Sequence, residues 1–221
     1  MAFIFFSKLF QRALRRKDVE VGFAELQHRI HAAEQTVMHY NVKSEGYVDV
    51  RITLKTSPEQ DEELKEHFSP FKNEDADLMA LKVADYVNKI ITYDSDLRNF
   101  GKVEYWNGPY EVWKTRRDDC DGYAALIMKA WGLLGIPADR RMVWVGDVFS
   151  PAGRLIGGHA VPIYLNYANN EWFAVEGSFN AALSRASFGV TPLWANKLYG
   201  RSWFVFNEER SYLGSRFLAG A

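Results

Sequence analysis

The chain has 221 residues, of which 48% are hydrophobic and 25% charged, and its formal net charge is −1. That length can bury a sizeable core, and the near-neutral charge offers no global field to hold nucleic acid or an anionic membrane, so a nucleic-acid partner finds no support. The single cysteine, Cys120, excludes an intrachain disulfide and agrees with a reducing compartment, so the expected location is cytoplasmic.

The chain opens on a short apolar run containing Phe3, Phe6 and Phe10, followed by Arg12, Arg15, Arg16 and Lys17. A secretory signal has the opposite charge order, and the run is too short to span a bilayer, so no transmembrane segment is expected. The aromatic and basic residues suit either an amphipathic anchor or packing onto the body or a partner chain; packing is favoured, which makes this segment a candidate protein contact. Residues 23–40 carry Phe23, Leu26, Ile30, Ala33, Val37 and Met38 at helical spacing, and residues 47–55 alternate like a strand with one wet face. Residues 61–73 are highly charged and broken by Pro70, which suits a solvated linker or a short helix. Residues 1–73 therefore read as a mainly helical N-terminal appendage, and residues 74–221 as the catalytic domain. His28, His31, His39 and His67 lie in the appendage without a metal-site ligand set, so they are expected at the surface.

From Glu74 onward, Leu78, Leu81, Val83, Ala84, Val87, Ile90 and Ile91 predict a strong helix ending near residues 93–95. An aromatic loop and a short segment at 110–114 follow. The next helix starts at Cys120, buries Ala124, Ile127, Met128 and Trp131, and is stopped by Gly135 and Pro137. Strands are expected at 141–148, 158–165 and 171–175, with a hairpin turn at 167–170 that favours antiparallel pairing. A loop beside the site and a final strand at 203–206 complete the chain.

Cys120 stands where an acidic loop becomes a helix, in Asp118-Asp119-Cys120-Asp121-Gly122-Tyr123. The positive end of the helix dipole and unpaired backbone N–H groups favour a thiolate there, making Cys120 a candidate nucleophile; the alternative is a small buried hydrophobe. Downstream lie His159, in Gly157-Gly158-His159-Ala160-Val161, and Glu176, after the aromatic strand Trp172-Phe173-Ala174-Val175. On neighbouring antiparallel strands these two side chains can be brought opposite each other.

These residues, with Tyr105-Trp106-x-x-Pro109-x-Glu111 and Leu134-Gly135-Ile136-Pro137, resemble the transglutaminase-like superfamily, and within it the bacterial transglutaminase-like cysteine proteinases. The resemblance covers residues 74–203. It implies an α+β, papain-like core in which the nucleophile helix packs on an antiparallel sheet, and it fits a bacterial or phage origin. It also implies a catalytic triad of Cys120, His159 and Glu176, with glutamate where aspartate is common, and acyl transfer through a thioester.

By the same resemblance the Trp106 indole N–H is a candidate oxyanion donor, with core packing as the alternative. Some relatives carry a further acidic residue where this chain has Gly122, and acidic residues around the cysteine are associated with calcium in one branch. Asp119 and Asp121 are thus weak calcium candidates, a helix N-cap is the favoured role for Asp118 or Asp119, and no cofactor is expected. Hydrolysis of a peptide or amide bond in a protein or peptide substrate is the favoured reaction. A cross-linking transglutaminase, or a non-catalytic module of a larger assembly, is the alternative.

Overall fold

The computed structural model describes residues 38–41, 46–102, 104–178 and 187–213, with only the backbone described at 38–41, 46–48 and 213. The N-terminal aromatic and basic segment, and most of the helix expected at 23–40, lie outside these residues. Within them Met38–Asn41 is a strand, β1, paired antiparallel with β2, Gly46–Asp49. The strand expected over 47–55 stops early for a local reason. Asp49 accepts the backbone N–H of Arg51 at 2.9 Å and caps a 3-10 turn over Val50–Leu54. Val50, Thr53 and Leu54 are then buried at helical rather than alternating spacing.

Helix α1, Pro58–Phe68, is started by a capping box in which Ser57 and Gln60 exchange hydrogen bonds. It answers the choice between linker and helix left open by the charged stretch, and buries Leu64 and Phe68. Val50, Leu54, Leu64 and Phe68 join the same core as the helices that follow, so residues 50–73, grouped by sequence with the appendage, pack on the main body. His67, expected at the surface, is half-buried among Phe68, Tyr86 and Trp113, and its Nε2 lies 2.9 Å from the Tyr86 hydroxyl.

Helix α2, Ala76–Ile90, is capped by Asp75 and leads into β3, Thr92–Tyr93. Short helices α3, Asp96–Phe100, and α4, Pro109–Thr115, precede β4, Arg117–Asp118, which pairs parallel with β3. Helix α5, Cys120–Leu133, comes next. Its end is a Schellman motif: Ile136 N–H donates to the Trp131 carbonyl, Gly135 N–H donates to Gly132, and Gly135 sits at φ +99°.

Strands β5, Arg141–Phe149; β6, Leu155–Leu165; β7, Trp172–Ala174; β8, Tyr199–Phe206; and β9, Ser211–Leu213, form an antiparallel sheet in the order β7-β6-β5-β8-β9. Alternation along β5 sends Val143 and Val145 into a core shared with the helices, and Met142, Trp144 and Val148 into a second core on the other face, where Leu193 covers them. Helix α5 packs on β6 and β5 on one side and on α1, α2 and α4 on the others, so it is buried almost all round. Its Trp131 is fully buried and donates to the Ala80 carbonyl at 3.1 Å. A side chain of that size contributes roughly 1.5–3 kcal/mol by burial, which fixes the helix and the residue at its start. Nucleophile helix and antiparallel sheet are thus arranged as the α+β expectation required. Among the described residues no helix is long and apolar enough to cross a membrane.

Candidate active site

Cys120 is the first residue of α5 and remains partly exposed. The turn before it is built by two aspartates. Asp118, fully buried, accepts the Asp119 backbone N–H at 2.9 Å and the Asn107 side-chain amide at 3.0 Å. Asp119 is the N-cap, accepting the Asp121 N–H at 3.3 Å. Gly122 is explained by the same turn, since a Cβ there would lie 2.4 Å from the Asp118 carboxyl carbon. The space that an acidic side chain at 122 would need is already filled by Asp118.

The Cys120 sulfur receives a hydrogen bond from the backbone N–H of Ala160, the residue directly after His159 in β6. His159 is buried, and its Nε2 lies 2.9 Å from Glu176 Oε1. The two do not face each other squarely across the ladder. Ile163 pairs with Ala174, so continuing that register sets Val161, not His159, opposite Glu176. The contact is diagonal, and the extra methylene of glutamate helps to span it. With Glu176 ionised, Nε2 carries the hydrogen and Nδ1 is the ring's proton acceptor. The same Oε1 accepts the Tyr199 hydroxyl at 2.7 Å.

The nucleophile side is acidic. Carboxylate oxygens of Asp96, Glu104 and Asp121 lie within 4.8 Å of one another, as do those of Asp96, Asp118 and Asp119. Burial, then the neighbouring charges, push the carboxyls of Asp96 up to about 8 and of Glu104 up to about 7, and hold Asp121 well above the usual carboxylate range. Oδ1 of Asp96 and Oδ1 of Asp121 are buried without a hydrogen-bond partner. Two bare oxygens among clustered carboxylates fit a hard cation such as calcium, which takes 6–8 oxygen ligands.

The Cys120 thiol is also pushed up, first by burial and then by the charges of Asp119 and Asp121, with the Ala160 N–H opposing. Burial and acidic neighbours therefore oppose the thiolate stabilisation expected from the helix dipole. The Trp106 indole N–H donates to Glu104 Oε1 at 2.6 Å, and its ring packs against Phe206 at 5.8 Å between centroids. Of the two roles considered for Trp106, core packing matches where the ring lies, while the N–H that an oxyanion would need is engaged by the Glu104 carboxylate.

Sequence reasoning passed over Asp96, Glu104 and Tyr199. Asp96 and Glu104 are distant in the chain from Cys120 and carry no spacing signal. Tyr199 starts a strand whose expected beginning fell four residues later. It reaches Glu176 across the sheet.

A His–carboxylate pair on the sheet and a cysteine at the start of the helix packed on that sheet are the elements of a papain-like α+β core, and the fold is transglutaminase-like. Among solved structures the chain is similar to calcium-bound LapG of Legionella pneumophila at 16% identity, covering 72% of this chain and 88% of that one with a TM-score of 0.53. The EGTA-treated LapG is similar at 15% identity, over 74% and 82% of the two chains, with a TM-score of 0.51. A TGase matches at 16% identity over 74% of this chain and 50% of that one, with a TM-score of 0.40. No protein-family model and no curated protein sequence matches the chain.

Proposed function

We propose that the protein is a cysteine peptidase or amidase that hydrolyses its substrate through a thioester on Cys120. The observation that supports this reading is the Ala160 N–H on the Cys120 sulfur, which ties the thiol to the residue next in the chain to His159, whose Nε2 lies 2.9 Å from Glu176 Oε1. His159 Nδ1 takes the thiol proton as sulfur attacks the carbonyl carbon, and Glu176 stabilises the resulting imidazolium. The Cys120 backbone N–H donates to the oxyanion. The Trp106 indole is the second donor once it leaves Glu104, and losing one such donor costs on the order of 100-fold to 1,000-fold in rate. The imidazolium then protonates the departing amine. Water, deprotonated by His159, attacks the thioester, releasing the acid and restoring the thiol.

One of the similar structures is calcium-bound. For this chain we propose Asp96, Glu104 and Asp121 as the protein ligands of a calcium ion, with Asp118 and Asp119 beside them. Bound there, calcium would neutralise the carboxylate charge that disfavours the thiolate. The substrate class is a protein or peptide.

The test is the rate of Cys120 alkylation by iodoacetamide from pH 4 to 9, with calcium or EGTA, in the wild type and in His159→Ala. Rapid labelling below the free-thiol pKa of about 8.5, lost in the variant, is expected. Slow labelling that is the same in both proteins under both conditions would sink the enzyme reading in favour of a binding module.

A further inference from the structure

Tyr199 is the first residue of β8, and in the sheet order β5 separates β8 from β6, which carries His159. Its phenol crosses that gap beneath the sheet. The ring stands edge-on to Trp144 at 5.4 Å, and the hydroxyl donates to Glu176 Oε1 at 2.7 Å. Gly146, opposite His159 on β5, leaves room for that Trp144 ring, since a Cβ there would lie 2.5 Å from it and 2.3 Å from the Arg201 carbonyl oxygen. One carboxylate oxygen thus receives donors from two strands, His159 Nε2 at 2.9 Å and Tyr199 Oη at 2.7 Å, and all three residues are buried.

We infer that Tyr199 is a positioning residue for the His159–Glu176 pair: its hydroxyl aims Glu176 Oε1 at Nε2 and so fixes which imidazole nitrogen carries the hydrogen. The inference deepens the proposed function and rests on it for its catalytic consequence. A carboxylate on a flexible two-carbon arm has rotamers that would miss the ring, and a second, fixed donor selects the one that does not. Desolvating an ionised carboxylate is costly unless hydrogen bonds replace water, and the phenol supplies one. Burial and the adjacent Glu176 hold the Tyr199 hydroxyl far above its ordinary range, so it remains a donor throughout the working pH. An aspartate at 176 would stop one methylene short of this double contact.

The test is Tyr199→Phe, which removes one oxygen and keeps the ring on Trp144. The tautomer of His159 is read from long-range proton–nitrogen NMR spectra of imidazole-labelled protein, with His159→Ala assigning the resonance. We expect one tautomer, hydrogen on Nε2, in the wild type, and a mixture in Tyr199→Phe. We also expect Cys120 alkylation at pH 6 to fall about tenfold on Tyr199→Phe, and by less than about twofold when the same change is made in Glu176→Ala, because the two act as one unit. An unchanged tautomer in Tyr199→Phe, or, where His159→Ala does slow labelling, equal labelling losses in both backgrounds, overturns the inference. A tautomer that shifts while wild type and His159→Ala label alike supports the positioning role and overturns the enzyme reading instead.

Discussion

The two sides of the candidate site are built on opposite principles. On the sheet side, His159, Glu176 and Tyr199 are buried and joined through one carboxylate oxygen. On the helix side, Asp96 and Asp121 are as deeply buried yet each keeps an oxygen without a partner, and Glu104 is held only by the Trp106 indole among the bonds described. A hydrogen-bonded polar pair rigidifies what it touches, whereas crowded, under-satisfied carboxylates store unfavourable charge that a proton or a cation relieves. The proposed base is thus set by the fold alone, and the environment of the proposed nucleophile is left to solution conditions.

The largest effect that would sharpen this contrast is on turnover. His159→Ala is expected to lower kcat by about 1,000-fold or more with calcium present, since it removes the general base and acid together. Wild-type turnover within about threefold of the variant's, on any peptide the protein cleaves, would remove the imidazole from the reaction. The change should leave the helix side untouched, so calcium affinity measured by calorimetry should stay the same.

A change at the helix start should act on stability instead. Gly122→Ala places a methyl 2.4 Å from the Asp118 carboxyl, which is itself held by Asp119 and Asn107. Displacing it is expected to cost about 1–3 kcal/mol in urea unfolding. An unchanged midpoint would show that the turn yields without cost.

Cys120, His159 and Glu176 stood out in the sequence because they announce themselves locally, whereas Tyr199 did not. A lone cysteine at a helix start, a histidine in a glycine-flanked strand and a carboxylate after an aromatic strand each carry a chemical signature, and the hairpin between β6 and β7 brings the last two together. The acidic cluster has no such signature. Asp96 caps nothing through its own side chain; it accepts the Tyr105 backbone N–H at 2.5 Å, and the β3–β4 pairing sets its segment beside the one that leads into Cys120. Residues 47–55 were misjudged for a related reason. Alternation was present, but the Asp49 side chain captured the backbone and turned it into a 3-10 helix, a local hydrogen bond overriding periodicity. Register also escaped the sequence: the strand pattern allows Glu176 and His159 to lie opposite each other, and the contact is diagonal because Ala174 aligns with Ile163.

The smallest effect separates the two sides by pH. Asp96, Glu104 and Asp121 have folded pKa values raised above their unfolded ones, by burial first and neighbouring charge second. A raised carboxyl binds its proton more tightly in the folded state, so its stability contribution is greatest below the unfolded value of about 4 and declines as pH climbs toward the folded value. For Asp96 and Glu104 that decline runs to about 8 and about 7. In EGTA, raising the pH from 5 to 8 should therefore lower the melting temperature of the wild type more than that of Asp121→Asn, which carries one fewer ionisable group in the cluster. The difference should be about 3–8 °C, corresponding to roughly 1–3 kcal/mol. Other titrations, including that of half-buried His67, are common to both proteins and cancel in the comparison. Calcium at pH 8 should raise the wild-type melting temperature and raise that of Asp121→Asn less, since a ligand has been lost. Parallel pH slopes for the two proteins in EGTA would mean that Asp121 carries no stored charge, and the asymmetry between the two sides of the site would have to be abandoned.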